Sequence, residues 1–413
     1  MKRMRDAIAL AAGLGLTAYP PNRLTAQMID TIVVHNGNVF DLHDDAPGFL
    51  ARLTNALHIR TRASVIRRTL LLNAGDAYDS ARVAESERAL RALVVFRKVE
   101  LDTARVRGRS ALRVTTADGW STKPQAGFSS AGGDQTWEIG IVEQNLLGTA
   151  TELAAAYRDT PDRRIFEVEY QSPHFVWRRV TLLARYANLS DGRRGLWRAG
   201  LPFYQTAARR SIEMEGEAAT DLALVFRDGA LAASPQRRML RVGLRGGLAL
   251  HATSRDYARV WLGTLWRRED YAPATMIPFP RTVTAAAGAG VELGHVRFRV
   301  LEHFNSYARR EDVDLSQTLR LGVWAAPRPW GYAGGSAGMG PELGAQGSAV
   351  WRGGFVVARA EGNAIFGSAG LDSGRVRASL TIASQNLSRQ TLVVHVESGV
   401  AQRPRPEIGR AHV

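Results

Sequence analysis

From position 120 to about 401 the chain alternates apolar and polar residues in segment after segment. Phe166, Val168 and Tyr170 interleave with Glu167 and Glu169. Ile212 and Met214 interleave with Glu213, Glu215 and Glu217, and Leu240, Val242 and Leu244 with Arg241 and Arg245. Val296, Phe298 and Val300 interleave with Arg297 and Arg299, and Val376, Ala378, Leu380 and Ile382 with Arg375, Arg377, Ser379 and Thr381. Successive side chains of a strand point to opposite faces, so each segment predicts a strand with one apolar and one charged face.

Before position 120 the period changes. Residues 29–34 form a β-branched run ending in Asn36-Gly37-Asn38, a strand and a turn. Residues 41–58 fit no clear element and read as an insertion. Residues 61–72 have helical spacing, with Val65, Ile66, Thr69 and Leu70 on one face. Asn73-Ala74-Gly75-Asp76 stops that helix, since Gly75 is free to take positive φ. Asp79 or Ser80 caps a second helix carrying Val83, Ser86, Leu90 and Leu93. Segments 96–101 and 110–116 are two further strands. The order strand, helix, helix, strand, strand predicts a small α+β module.

Two architectures fit the long alternating part. A sandwich packs its apolar faces together, whereas a membrane barrel turns them to lipid and keeps charge in a wet lumen. Three features favour the barrel. Many segments reach ~9–11 residues, the spanning length of a tilted strand, while soluble strands are nearer ~5–6. The array is larger than one ordinary sandwich. Aromatics such as Tyr157, Tyr170, Trp197, Trp261 and Trp266 stand near segment ends, as interfacial girdles do. A sandwich or solenoid is the alternative. No run approaches the ~18 apolar residues of a spanning helix, so a membrane span here has to be a closed barrel. Glu167, Glu169, Glu213, Glu215, Arg297 and Arg299 then face the lumen, and Glu213, Glu215 and Glu217 come within reach of arginines such as Arg198. Each opposite-charge cross-strand pair contributes roughly 0.2–1 kcal/mol. An arginine turned to the bilayer midplane costs roughly 2–4 kcal/mol, so a one-residue slip is opposed at several positions at once and the register is firm. A solvated lumen wall, rather than catalysis, is the expected role of these carboxylates.

Composition narrows the function classes. The 413 residues carry a net charge of +15, and all but three of the 54 basic residues are arginine, lysine standing only at positions 2, 98 and 123. The arginines are spread singly or in pairs along strands instead of clustering with aromatics on one face, so nucleic-acid binding is not expected. The absence of cysteine excludes a thiol nucleophile, a thiolate metal site, a disulfide scaffold and a lipoprotein anchor. Gly334-Gly335-Ser336-Ala337-Gly338 matches G-x-S-x-G, but a nucleophile elbow needs a strand–turn–helix context and this one lies in a glycine-rich loop between strands. The nine histidines are dispersed, without H-E-x-x-H spacing. No enzyme activity, cofactor or metal is expected. At the start, Lys2, Arg3 and Arg5 precede an apolar stretch over 7–18, Pro20 and Pro21 end it, and Leu24-Thr25-Ala26 offers a cleavage site before Gln27. Residues 1–26 therefore read as a secretory signal peptide, which places the mature chain outside the inner membrane.

Residues 27–118 resemble a POTRA domain, the periplasmic module of the BamA/TamA-like outer-membrane assembly family. The resemblance lies in Val65-Ile66-Arg67-Arg68, Gly75-Asp76-x-Tyr78-Asp79, Glu87-Arg88-x-Leu90-Arg91-x-Leu93 and Phe96-Arg97-x-Val99. Residues 119–406 resemble the barrel of the same family. Trp137 to Val142 runs into Glu143-Gln144-Asn145-Leu146-Leu147-Gly148-Thr149, similar to its first barrel strand and hairpin, and Ser172-Pro173-x-Phe175 is similar to the turn closing its third strand. Asn145 and Gly148 both tolerate the left-handed φ of a turn. The resemblance implies a Gram-negative outer-membrane protein that is mainly β, a periplasmic α+β POTRA-like domain followed by an antiparallel transmembrane β-barrel. It implies that the POTRA sheet receives unfolded outer-membrane protein strands by β-augmentation. The first and last barrel strands would part to template those strands, with Trp137, Glu143, Asn145, Leu146 and Gly148 beside the seam. Outer-membrane lipid and periplasmic chaperones or lipoproteins are the further partners implied.

The chain also departs from the family. That barrel has sixteen strands, an arginine-glycine-aromatic motif on an inward loop and an aromatic closing the last strand. Here about twelve to fourteen strands are readable, at ~10 residues each plus turns. Leu244-Arg245-Gly246-Gly247 and Trp351-Arg352-Gly353-Gly354-Phe355 have glycine where the aromatic belongs. Residues 407–413 are what a common sequencing-library adapter reads as when translated. The expectation is an incomplete barrel whose true sequence stops near Pro406. Its open edge would leave amides that hydrocarbon cannot satisfy, so stable monomeric insertion is not expected. Assembly or translocation of outer-membrane proteins is the leading function. A passive channel or surface-antigen barrel is the alternative, and a barrel-scaffolded hydrolase comes last.

Overall fold

In a computed structural model of the chain, the residues described are 28–41, 48–176, 179–227, 230–272, 282–302, 304, 309–387 and 390–402. The expected signal peptide and the adapter-like tail lie outside them.

The N-terminal module is built on three strands, β1 (Thr31–Gly37), β2 (Phe96–Val106) and β3 (Arg109–Asp118), in the order β1-β3-β2. β1 runs parallel to β3, and β2 antiparallel to it. Three helices accompany them, α1 (Phe49–Leu57), α2 (Ala63–Thr69) and α3 (Ser80–Arg91). α3 starts where the Asp79 carboxylate accepts from the Ala81 and Arg82 amides, satisfying donors that the first turn leaves open. Ile66, Leu70 and Leu90 from the helical layer meet Phe96, Leu112 and Val114 from the sheet in a dry core. α1 occupies the stretch that reads as an insertion, and it stands apart from that core.

The rest of the chain is dominated by one sheet. Its first strands are β4 (Thr122–Ala131), β5 (Asp134–Glu143), β6 (Glu152–Asp159), β7 (Arg164–Ser172), β8 (Thr181–Leu189), β9 (Gly192–Leu201) and β10 (Arg210–Leu222). A small hairpin, β11 (Val225–Arg227) and β12 (Ala230–Ala233), stands outside the sheet. β13 (Gln236–Ala252), β14 (Asp256–Tyr271) and β15 (Thr282–His295) continue it. A second outlying hairpin follows, β16 (Phe298–Glu302) and β17 (Arg310–Asp314). β18 (Gln317–Pro327), β19 (Ala337–Trp351), β20 (Gly354–Gly367), β21 (Gly370–Leu387) and β22 (Gln390–Gln402) complete the sheet. Among the described residues its 15 strands lie in chain order, every neighbour antiparallel, with β4 and β22 as its edges. An odd number of alternating strands leaves those two edges running in the same sense.

Two expectations are corrected. Trp137 to Val142 belongs to the second strand, because β4 precedes it; Pro124 and Ser129-Ser130 break the alternation by which a strand is recognised. Residues 296–300 do not extend across the sheet: β15 ends at His295, and Phe298 to Glu302 pairs only with β17.

The apolar face of the sheet is turned outward. Trp137, Ile139, Phe166, Met214, Val242, Leu321 and Leu380 are all exposed. The charged face is concave. Arg245 of β13 donates to both Glu342 oxygens of β19 at 3.0 and 2.9 Å. On a flat sheet four strand spacings would hold those strands about 19 Å apart, farther than the two side chains reach together. Among the described residues no second sheet covers the apolar face, so the packing is not that of a sandwich.

Candidate functional site: the charged concave face and the module across its end

Register brings opposite charges together along the concave wall. Glu138 accepts from Arg158 at 2.8 Å. Arg185 reaches both Glu167 and Glu169. Glu215 takes Arg198 on one side at 3.3 Å and Arg241 on the other at 2.7 Å, tying β9, β10 and β13. Glu213 lies half-buried on the same face, opposite Arg245 in register. Glu292 holds Arg320 at 3.1 Å and Arg259 at 3.6 Å. Exposed pairs of this kind contribute little each. Asp221 differs: its side chain is 0% exposed and receives Arg237 at 2.9 Å and Arg194 at 2.8 Å, with Arg163 at 3.7 Å. A carboxylate removed from water needs that much compensation.

Midway along the wall stands an aromatic–ionic cluster. Trp261 and Trp324 lie 5.8 Å apart, centroid to centroid. The Arg245 guanidinium sits 4.1 Å over Trp261, a cation–π contact. The Trp324 indole donates to Glu342 at 2.7 Å. A Cβ on Gly290 or Gly322 would overlap the Trp261 ring, so the ring lies against bare backbone. Trp261 is therefore part of the inner wall, not of an interfacial girdle. Trp137 faces outward and packs against Tyr157, the rings tilted by 40° with centroids 5.2 Å apart.

The module crosses one end of the sheet, and every turn that touches it lies at that end. In the β5–β6 turn, Asn145 donates to the Ile59 carbonyl at 2.9 Å, its amide donates to Glu143 at 2.7 Å, and its side-chain oxygen accepts from Ala150 at 2.9 Å. Leu146 closes the turn on the Thr151 carbonyl at 2.9 Å. Gly148 has φ +73°, and a Cβ there would stand 2.6 Å from the Arg60 carbonyl oxygen. In the β7–β8 turn, His174 bonds Thr69 at 2.9 Å. After β9, Thr206 donates twice to Glu85, at 2.8 and 2.9 Å.

The β16–β17 hairpin is the deepest of these contacts. Arg91 of α3 grips Asp312 with two hydrogen bonds at 2.7 and 2.8 Å, and Arg88 lies 4.0 Å over the Phe298 ring. Behind them, Leu301 and Leu315 pack on Phe355, Val357 and Ala383 of β20 and β21. Arg299 thus lies on a hairpin outside the sheet and donates to the Gly354 carbonyl at 3.4 Å, and Arg297 precedes that hairpin. Neither is a wall residue on a sheet strand, because alternation identifies a strand without identifying its partner.

The remaining motif residues belong to the module. Leu90 and Phe96 are core, and Leu93 packs against it. Gly75 has φ +92° at the end of the α2 segment. Asp76 accepts from the Asn73 amide at 3.0 Å and from Arg82 at 3.1 Å, while Tyr78 is exposed beside it. Gly334 to Gly338 run through a loop into β19, with no helix following. Asp221, Asp312, Trp324 and Glu342 carry contacts that no motif marked. The glycines at 288, 290 and 322, alternating opposite the two tryptophans, were the available signal.

No family model matches the chain, and no curated protein does. Among solved structures, CdiB from Escherichia coli is similar at 11% identity and TM-score 0.39, over 97% of this chain and 96% of that one. CdiB from Acinetobacter baumannii is similar at 11% and 0.40, over 91% and 70%. BamA from Haemophilus ducreyi lacking POTRA domains 1–3 is similar at 10% and 0.32, over 89% and 81%. At these TM-scores none of the likenesses bears on function.

Proposed function

We propose that the chain is an outer-membrane β-barrel protein of the BamA/TamA-like kind, which assists insertion, assembly or translocation of other outer-membrane proteins. The observation that carries this reading is the inverted sheet, apolar outside and ion-paired inside, with the α+β module lying across one end. Lipid is the solvent that suits such an outer face. The module is then periplasmic and POTRA-like, and β2, with no strand beyond it among the described residues, is the edge that accepts an extended client strand. β4 and β22, the edges of the large sheet among the described residues, present the corresponding backbone. The seam belongs to β4, one strand before Trp137, and the Asn145–Gly148 turn joins sheet to module instead of lining it.

Liposomes carrying the protein, mixed with a urea-unfolded outer-membrane protein, test this. Folding of the client faster than in empty liposomes is the expected result. Ion conductance without any acceleration would replace the reading by that of a passive channel, for which the charged inner wall is the favouring observation.

A further inference from the structure

Helix α1 is amphipathic in the opposite sense to a helix that packs on its own domain. Phe49, Leu50, Leu53 and Leu57 share one face of the wheel. All four are exposed, Leu50 to 73%, Phe49 to 70% and Leu57 to 67%. The helix is held by its other side. Ala51 is buried, and the Asn55 amide brackets the Phe40 backbone, accepting from its N–H at 3.0 Å and donating to its carbonyl at 2.9 Å.

The C-terminal end of α1 is fixed to the joint between module and sheet. His58 bonds Asp118 at 2.9 Å, Asn145 of the β5–β6 turn bonds the Ile59 carbonyl, and the Arg62 amide donates to the Gly148 carbonyl at 2.9 Å. Ile59 and Leu147 are exposed on the two sides of this joint, and Ile141 and Ile139 follow on the outward face of β5. Exposed apolar residues thus run from Leu57 at the end of α1 through Ile59 and Leu147 at the joint to Ile141 and Ile139 on the outward face of β5. α1 contains no acidic residue, and Arg52, Arg60 and Arg62 along and after it are exposed.

We propose that α1 lies in the surface of the lipid bilayer beside β4 to β6, with Phe49, Leu50, Leu53 and Leu57 among the acyl chains and Arg52, Arg60 and Arg62 at anionic headgroups. An interfacial helix needs this division into an apolar and a basic side, and an apolar patch of this size is rarely left facing water. The inference rests on the barrel reading above. It gives the module a second attachment, to lipid, next to the β4 edge.

The chain has no cysteine, so Leu53→Cys and Ile139→Cys each accept a single environment-sensitive fluorophore without touching a buried residue. Both are measured in the full chain inserted into phosphatidylethanolamine–phosphatidylglycerol vesicles, using lipids with a doxyl quencher near the headgroup or deep in the chain. The label at position 53 is expected to shift to the blue and to be quenched more by the shallow doxyl. The label at 139 is expected to be quenched more by the deep one. Replacing phosphatidylglycerol with zwitterionic lipid is expected to weaken quenching at 53 and leave 139 unchanged; an equal signal in both lipids would remove the headgroup role of the arginines. A water-like, unquenched label at 53 beside a quenched one at 139 overturns the inference and spares the barrel. A blue shift at 53 without lipid quenching means that a second copy or another protein covers the face, and overturns it too. Water-like labels at both positions bring down the barrel reading and this inference with it.

Discussion

The module and the large sheet use the same residue types to opposite ends. In the module, leucines and valines face each other, and Leu112 and Leu90 are fully buried. In the sheet, Leu321, Val242 and Leu380 face outward, while arginines and carboxylates meet on the inside. Burial away from water accounts for the module's core; the outward apolar face of the sheet is the surface that the proposed reading assigns to lipid. Apart from α1, whose apolar face is exposed, the module packs its helices and sheet into a core of its own. The sheet leaves them for something else to cover and, on its inner side, balances charge against charge. The two regions should therefore fail by different routes.

The largest effect is expected at Asp221. Asp221→Ala removes the buried carboxylate that Arg237, Arg194 and Arg163 share and should cost about 3–5 kcal/mol, read as a fall in the urea midpoint of the protein reconstituted in vesicles. Leu112→Ala should cost the module about 2–5 kcal/mol. Hydrogen exchange should show that loss confined to β1, β2, β3 and the helices over them, with β7 to β14 unchanged. Leu321→Arg sets a charge on the outer face and should cost roughly 2–4 kcal/mol in lipid, whereas the same change in a water-covered sheet would cost almost nothing. Equal unfolding of Leu321→Arg and wild type in vesicles would break the contrast between the regions outright. Asp312→Ala removes the paired bond to Arg91 and should cost roughly 1.5–3 kcal/mol, visible as faster protease cleavage around α3 with the sheet intact. The smallest effect belongs to Asp102. The hydrogen bond from Arg113 holds the Asp102 carboxyl below its ordinary range. The stabilisation is present above the unfolded-state value and is lost as pH falls through the lowered folded one. Asp102→Asn should flatten only the acid limb of a Tm–pH curve and leave neutral Tm nearly unchanged.

How far the sequence carries depends on where each residue finds its partner. β7, β10, β13 and β21 were legible because their alternation is local, and α2 and α3 because their apolar spacing and caps are local too. β4 was not, since Pro124 and the paired serines blur a period of two. The hairpin strand β16 was legible as a strand but not as an outlier, because Phe298 and Val300 alternate as any sheet strand does and the pairing with Asp314 to Arg310 is a choice made later in the chain. Asp221 looked like one carboxylate among many; its three arginines come from positions 163, 194 and 237, and no window holds them all. α1 was hidden for a different reason. Its leucines make sense only once the structure shows them exposed, outside the module's core.

The hairpin between β15 and β18 acts mechanically as a tie rod. One end is gripped by Arg91, and the other is wedged against Phe355 and Ala383, on the strands next to the open edge at β22. As long as both grips hold, a swing of α3 loads β20 and β21 without passing through the sheet strands from β4 to β19. The rest of the wall then serves as a stiff frame against which that pull is exerted.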